Sequence, residues 1–191
     1  MRKDMVLEPF PLSPQEKPTD TLEGYSNFFT NTTAYTSFTD SFPQTWSLIP
    51  AVRHALTLHP YSPWMFALSP HALIMDPSLS LHSHILSPPR LASLMLKDIP
   101  VVPPDSVIHT FSHLKPEKVD FILTQDAESL SHGSFLLRKG EWARFFLDSW
   151  GDLLYRKYNF QKAEKHALVR SPNCLHEAPF SNLVSEDSRL T

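Results

Sequence analysis

Apolar residues recur at helical spacing between Thr45 and His59, where Trp46, Ile49, Val52, Ala55 and Leu56 fall on one side of a helix. Pro50 fits the first turn, where a missing N–H costs little, and Pro60 and Pro63 close the element. The next run, Trp64-Met65-Phe66-Ala67-Leu68, is continuously apolar and predicts a buried strand. After Ser69-Pro70-His71 the apolar character resumes in Ala72-Leu73-Ile74-Met75. Pro88 and Pro89 open a short helix with Leu91, Leu94 and Met95 on one face, and Pro100 ends it. Val119 to Thr124 predicts a strand with Val119, Phe121 and Leu123 on one side.

A polar loop and a second apolar strand, ending at Arg138, lead into the most regular pattern of the chain. From Glu141 to about Tyr158, Trp142, Phe145, Phe146, Trp150, Leu153 and Leu154 form a stripe along one face of a long helix. Burying each should stabilise the fold by roughly 1.5–3 kcal/mol. Asp152 and Arg156 are spaced for an i,i+4 ion pair on the same helix. A shorter helix, Gln161 to Leu168, follows. Helix, strand, loop, helix, strand, strand, helix is an α/β order.

The flanks lack either period. Residues 1–44 are rich in Ser, Thr and Pro with scattered Phe28, Phe29, Tyr35, Phe38 and Phe42, which predicts a weakly ordered arm lying on the domain through its aromatics. Residues 171–191 predict a loose tail, leaving 45–170 as the folded domain. Composition narrows the function classes. Seventeen basic against 20 acidic residues is no footprint for nucleic acid, whose phosphates need clustered Lys and Arg. One cysteine, Cys174, rules out an internal disulfide and a four-cysteine zinc site. Eighteen prolines with four glycines leave no Gly-rich phosphate loop. No apolar run approaches the ~20 residues that span a bilayer, and Met1-Arg2-Lys3-Asp4 lacks a signal-peptide apolar segment. The pairs His82/His84 and His109/His113 lack a third ligand or a zinc-helix Glu. Ser134 stands outside any Gly-X-Ser-X-Gly context.

One stretch carries a specific resemblance. Gln125-Asp126, then Leu130-Ser131-His132-Gly133-Ser134-Phe135, Arg138, Trp142, Leu147-Asp148-Ser149-Trp150 and finally Glu164, Ala167 and Leu168 run in an order similar to glycosyltransferase family 34. That is the fungal galactosyl/α-1,6-mannosyltransferase family. The segment Leu68-Ser69-Pro70-His71-Ala72-Leu73-Ile74-Met75-Asp76-Pro77 resembles the place where many members write Leu-Asp-X-Asp-Ala-Leu-Ile-Met-Asn-Pro.

The resemblance implies a partial GT-A-like, Rossmann-like fold that binds a nucleotide sugar. It implies a retaining hexosyltransferase of the Golgi membrane, active in protein glycosylation or mannan synthesis. The donor would be GDP-mannose or UDP-galactose, the acceptor a glycan, and the ion Mn2+. Asp126 would be the catalytic residue, hydrogen-bonding sugar hydroxyls, with Gln125, Ser131, Gly133 and Ser134 at the substrate. Trp142 and Trp150 match as well, and a core role explains both.

Two aspartates at i and i+2 of a strand end would point the same way and hold the ion that neutralises a departing diphosphate. Here those positions are Ser69 and His71, with Asp76 the nearest carboxylate and Ser131 standing where the family has Asn. His71 is then either a metal ligand in an altered motif or a loop histidine capping a strand end. Asp126 is either a site acid or a turn acid after a strand. The same replacements admit a second reading, a non-catalytic or truncated subunit of a mannosyltransferase complex.

Overall fold

The computed structural model describes residues 3–9, 21–22, 25–39, 42–69, 71–101, 109–125, 130–157, 167–168 and 180–183. Its strands are β1 (Lys3–Pro9), β2 (Thr21–Leu22), β3 (Tyr25–Asn31), β4 (Trp64–Leu68), β5 (Met95–Leu96), β6 (Phe121–Gln125), β7 (Leu130–Arg138) and β8 (Phe180–Leu183). They form one sheet in the order β2-β3-β1-β4-β7-β6-β8-β5. Only β6 and β8 run parallel; every other pair is antiparallel. The chain is therefore mixed α/β with a largely antiparallel sheet.

The helices are α1 (Thr36–Thr39), α2 (Leu48–Leu58), α3 (Pro88–Leu94), α4 (Glu141–Trp150) and α5 (Leu153–Lys157). They cover the sheet on both faces. Alternation along β4, β6 and β7 sends Met65, Ala67, Phe121, Leu123, Phe135 and Leu137 to one side, against Ile49, Val52 and Ala55 of α2 and Ala143, Phe146, Leu147 and Trp150 of α4. Ile122 and Leu136 face the other side, against Leu91 of α3, Met95 and Val119. The first side holds an aromatic column. Phe121 lies 4.8 Å from Phe146, Trp142 stacks on Phe146 at 5.0 Å, and Trp150 meets Phe135 edge-on at 5.9 Å.

The helix expected from Thr45 to His59 is present as a 3-10 turn, Gln44–Ser47, continuing into α2. Trp46, Ile49, Val52 and Ala55 are buried as the spacing requires. The strand Trp64–Leu68 forms as expected, and the Pro-opened helix forms but ends at Leu94, where Met95–Leu96 turn extended as β5 instead of continuing to Pro100.

Other expectations fail for identifiable reasons. The long helix stops at Trp150; Gly151 caps it, and α5 restarts at Leu153 with the Asp152 carboxylate accepting from the Leu154 amide at 2.7 Å. Asp152 therefore acts as a cap rather than an ion-pair partner, and Arg156 instead donates to the Phe38 carbonyl at 3.1 Å. With the axis broken, Leu153 and Leu154 leave the stripe and are exposed; Phe145, within the unbroken α4, is exposed because the buried face runs through Ala143, Phe146, Leu147 and Trp150. Val119 precedes β6 and packs on the opposite face from Phe121. Leu73 and Met75 are exposed in an irregular loop.

Within residues 1–44, read as an arm, β1 inserts between β3 and β4, with Met5 opposite Leu68 and Lys3 opposite Asn31. Within the tail, β8 lies between β6 and β5. Both pairings join segments far apart in sequence, which a local period does not register. Of the helix read at Gln161–Leu168, only Ala167 and Leu168 are described; both are helical and fully buried.

Candidate functional site

The motif segments meet at one end of the sheet. β7 is antiparallel to both β4 and β6, so the carboxyl ends of β4 and β6 flank the amino end of β7. β4 and β6 thus run in the same direction on either side of β7, and in α/β sheets the carboxyl ends of such like-directed strands are where ligands collect.

The centre of this end is a bulge. The β6–β7 register passes from Leu123–Phe135 directly to Thr124–Ser131, so His132, Gly133 and Ser134 are extra residues on β7. Bulges of this kind bend a strand and re-aim its side chains. The extra residues lean on β4: Ser134 is opposite Leu68, and the Ser69 amide donates to the Gly133 carbonyl at 2.7 Å. A methyl group at Gly133 would stand 3.6 Å from Ser69 Oγ and 4.0 Å from Ser131 Oγ, ordinary contact distances. Ser69, Ser131, Gly133 and Ser134 thus form one half-buried cluster of hydroxyl and backbone groups.

The remaining residues singled out in the sequence fall elsewhere. His71 is exposed, and its amide donates to Ser69 Oγ at 3.3 Å, the geometry of a capping turn. Asp76 is exposed, and its Oδ1 accepts from the amide and hydroxyl of Ser78 at 3.0 and 2.6 Å. Those hydrogen bonds hold its pKa below the usual carboxylate value. Asp126 lies outside the described residues.

Gln125 is buried, with Nε2 donating to the carbonyls of Pro100 at 2.7 Å and Val101 at 3.1 Å. Those partners precede it by some two dozen positions, and no local pattern pointed to them. Sequence reading also missed Tyr25, whose hydroxyl accepts from the Leu81 amide at 2.9 Å and ties β3 to the far end of the loop after β4.

The site end does not fit a hard divalent ion with the residues described. Ser69 and His71 bring no carboxylate, and oxygen anions are what manganese or magnesium prefers. Among the described residues, no group of three or more His, Cys, Asp or Glu is placed to hold a metal ion.

The opposite end of the ladder is structural. Arg138, opposite Trp64, lies 4.8 Å over its ring, donates to the Glu117 carbonyl at 2.8 Å and pairs with Asp120 at 3.4 Å. Burial nonetheless raises the Asp120 pKa, with Arg138 opposing the rise. Lys139 Nζ donates to the carbonyls of Leu56 and His59 at 2.8 and 2.9 Å, placing a cation at the negative end of α2. Burial, helped by that ammonium, lowers the His59 pKa. Asp148, one of the matched positions, forms an ion pair with Arg53 on the outer surface of α4 and α2.

Residues 20–170 match the model of the galactosyl transferase GMA12/MNN10 family. An uncharacterized alpha-1,2-galactosyltransferase of Schizosaccharomyces pombe is 36% identical over 124 residues, covering 65% of this chain and 38% of the relative. A probable alpha-1,6-mannosyltransferase MNN10 of Saccharomyces cerevisiae is 27% identical over 136 residues, 70% of this chain and 34% of the relative. The alpha-1,2-galactosyltransferase of Schizosaccharomyces pombe is 26% identical over 158 residues, 78% of this chain and 42% of the relative. The chain thus spans well under half the length of these relatives. No solved structure matches.

Proposed function

The chain belongs to the galactosyl transferase GMA12/MNN10 family, and from that membership we propose that it serves the transfer of a hexose from a nucleotide sugar to a glycan. The observation that carries the reading is the contact of the Ser69 turn with the Ser131–Ser134 bulge, both inside the matched span. Two motif segments more than sixty positions apart in the sequence meet at a strand-end edge of the kind that binds ligands.

At this edge the hydroxyls of Ser69, Ser131 and Ser134 offer donors and acceptors suited to sugar hydroxyls. Ser69 Oγ accepts from His71 N, which leaves its own O–H to donate. Gly133, without a side chain, keeps the surface low enough for a sugar ring to approach. Asp126, the residue after the end of β6, is the proposed catalytic carboxylate. Retention of configuration would need it as nucleophile, or front-face attack guided by the leaving phosphate. Manganese is the ion that the resemblance proposes. A GT-A-like arrangement, a GDP-mannose or UDP-galactose donor and a Golgi setting belong to the same proposal. Among the described residues, no helix is long and apolar enough to cross a membrane.

The test is donor hydrolysis with GDP-mannose and UDP-galactose in the presence of manganese, alongside thermal shift with each. Turnover or a nucleotide-dependent shift that is lost on Asp126→Asn supports the reading. No turnover and no shift removes catalysis by this chain.

A second reading has its own motivation: Ser69 and His71 replace both acidic positions, and the His71 amide is engaged in a turn with Ser69. On that reading the chain is a non-catalytic subunit or partial form that docks on active mannosyltransferases. Co-purification with such enzymes from fungal extract supports it, and isolation as a partner-free monomer counts against it.

A further inference from the structure

We propose that Gln125 is a positioning residue rather than a sugar contact. Its carboxamide locks the Asp98–Val101 turn onto the end of β6 and so fixes the backbone from which the chain proceeds to Asp126. The proposal deepens the transferase reading and rests on it for its catalytic consequence alone.

A primary amide nitrogen carries two hydrogens. Gln125 Nε2 lies within hydrogen-bonding distance of two carbonyl oxygens, Pro100 at 2.7 Å and Val101 at 3.1 Å, so both hydrogens are engaged. The side chain is 6% exposed and Val101 is fully buried, so no donor is left for a sugar hydroxyl. What the amide holds is itself a small ordered unit. Thr110 N donates to the Ile99 carbonyl at 2.9 Å, Ile99 N to Thr110 Oγ1 at 3.1 Å, and Asp98 N to the Thr110 carbonyl at 3.2 Å. Asp98 adopts a φ of 56°, a conformation that Asp tolerates better than most residues but that needs surrounding contacts to persist.

On its other side, Gln125 is in register with Leu130, the first residue of β7 and fully buried. The lock therefore joins the paired segments 98–101 and 109–110, the end of β6 and the start of the strand that bulges at Gly133. Gln suits this role by its donors. Glu has the same length but would set an oxygen against two carbonyl oxygens, and Met has the length without either polar group.

The experiment compares Gln125→Met and Gln125→Glu in the 191-residue chain, reading amide hydrogen exchange at Ile99 and Thr110. Amides of the β4–β7 ladder report that the variants remain folded. The expected result is about tenfold faster exchange at Ile99 and Thr110 in Gln125→Met and a larger increase in Gln125→Glu, with the ladder unchanged. In a preparation with transferase turnover, both variants lower kcat and leave donor KM nearly unchanged.

Unchanged exchange at Ile99 and Thr110 in both variants overturns the lock. A raised donor KM in Gln125→Met, with exchange unaltered, restores Gln125 as a substrate contact. Exchange is read whether or not the chain transfers sugar, so failure of the lock and failure of the transferase reading are told apart.

Discussion

Ser69 and Gly133 are joined across the β4–β7 ladder by a 2.7 Å hydrogen bond from the serine amide to the glycine carbonyl. That bond brings the two matched segments to one edge, and it uses the backbone of Gly133 while leaving its side-chain position open.

Gly133→Ala separates a structural glycine from a functional one. Among the described residues the added methyl meets only Ser69 Oγ at 3.6 Å and Ser131 Oγ at 4.0 Å, so the expected stability change is under about 1 kcal/mol. Donor binding should weaken if Gly133 lets the sugar approach. Thermal melts with and without nucleotide sugar check both halves; a large loss of stability without ligand would contradict the open geometry.

Gly151→Ala should behave oppositely. A Cβ there would lie 3.1 Å from the Leu147 carbonyl and 3.2 Å from Ile49 Cγ2, where α2 and α4 press together. Overpacking of this kind costs about 1–3 kcal/mol, read as a lowered denaturation midpoint.

Trp150→Ala removes a fully buried ring that contacts Phe135 and Phe146. The expected loss is about 3–5 kcal/mol, a large share of the stability of a domain this size. Urea denaturation with unchanged slope checks it. Leu154→Ala, at a position 69% exposed, should change stability by under about 0.5 kcal/mol.

Two groups at the sheet end away from the site give opposite pH responses. The folded pKa of His59 is lowered by burial and by Lys139, so its contribution is present above the ordinary value of 6.5 and is lost as pH falls through the folded value. His59→Gln should flatten the acid side of a plot of melting temperature against pH. The folded pKa of Asp120 is raised by burial, so its contribution is present below the ordinary 3.8 and is lost as pH rises through the folded value. Asp120→Asn should remove that decline. A wild-type slope retained in either variant would contradict the assigned cause.

Local periods revealed α2, β4 and α3 because each has a continuous pattern bounded by proline. The helix after Glu141 is shorter than its apolar stripe because Leu153 and Leu154 continue the helical spacing past the break at Gly151. β1, interrupted by Lys3, Asp4 and Glu8, and β3 and β8, interrupted by Ser and Asn, show no strand period and acquire strand character by pairing with distant partners.

The site divides in the same way. The motif order pointed to Ser69 and the Ser131–Ser134 segment, which the structure brings together. The order could not tell site residues from framework. Arg138, Trp142, Asp148 and Trp150 share the motif with Gly133 yet serve ion pairs, ring stacking and the core. The motif order also gives no sign of the hydrogen bonds from Gln125 to Pro100 and Val101, because those partners enter from a separate stretch of chain.

The seating of β8 beside β6 has a practical corollary. Phe180–Leu183 satisfies one flank of β6 along Phe121–Thr124. A shortened form ending before Phe180 would bare four successive backbone positions of an apolar strand to any extended peptide. Such a product should self-associate into strand-linked clusters, visible as light scattering during expression or storage. Recombinant versions intended for assay should therefore keep the chain through Leu183.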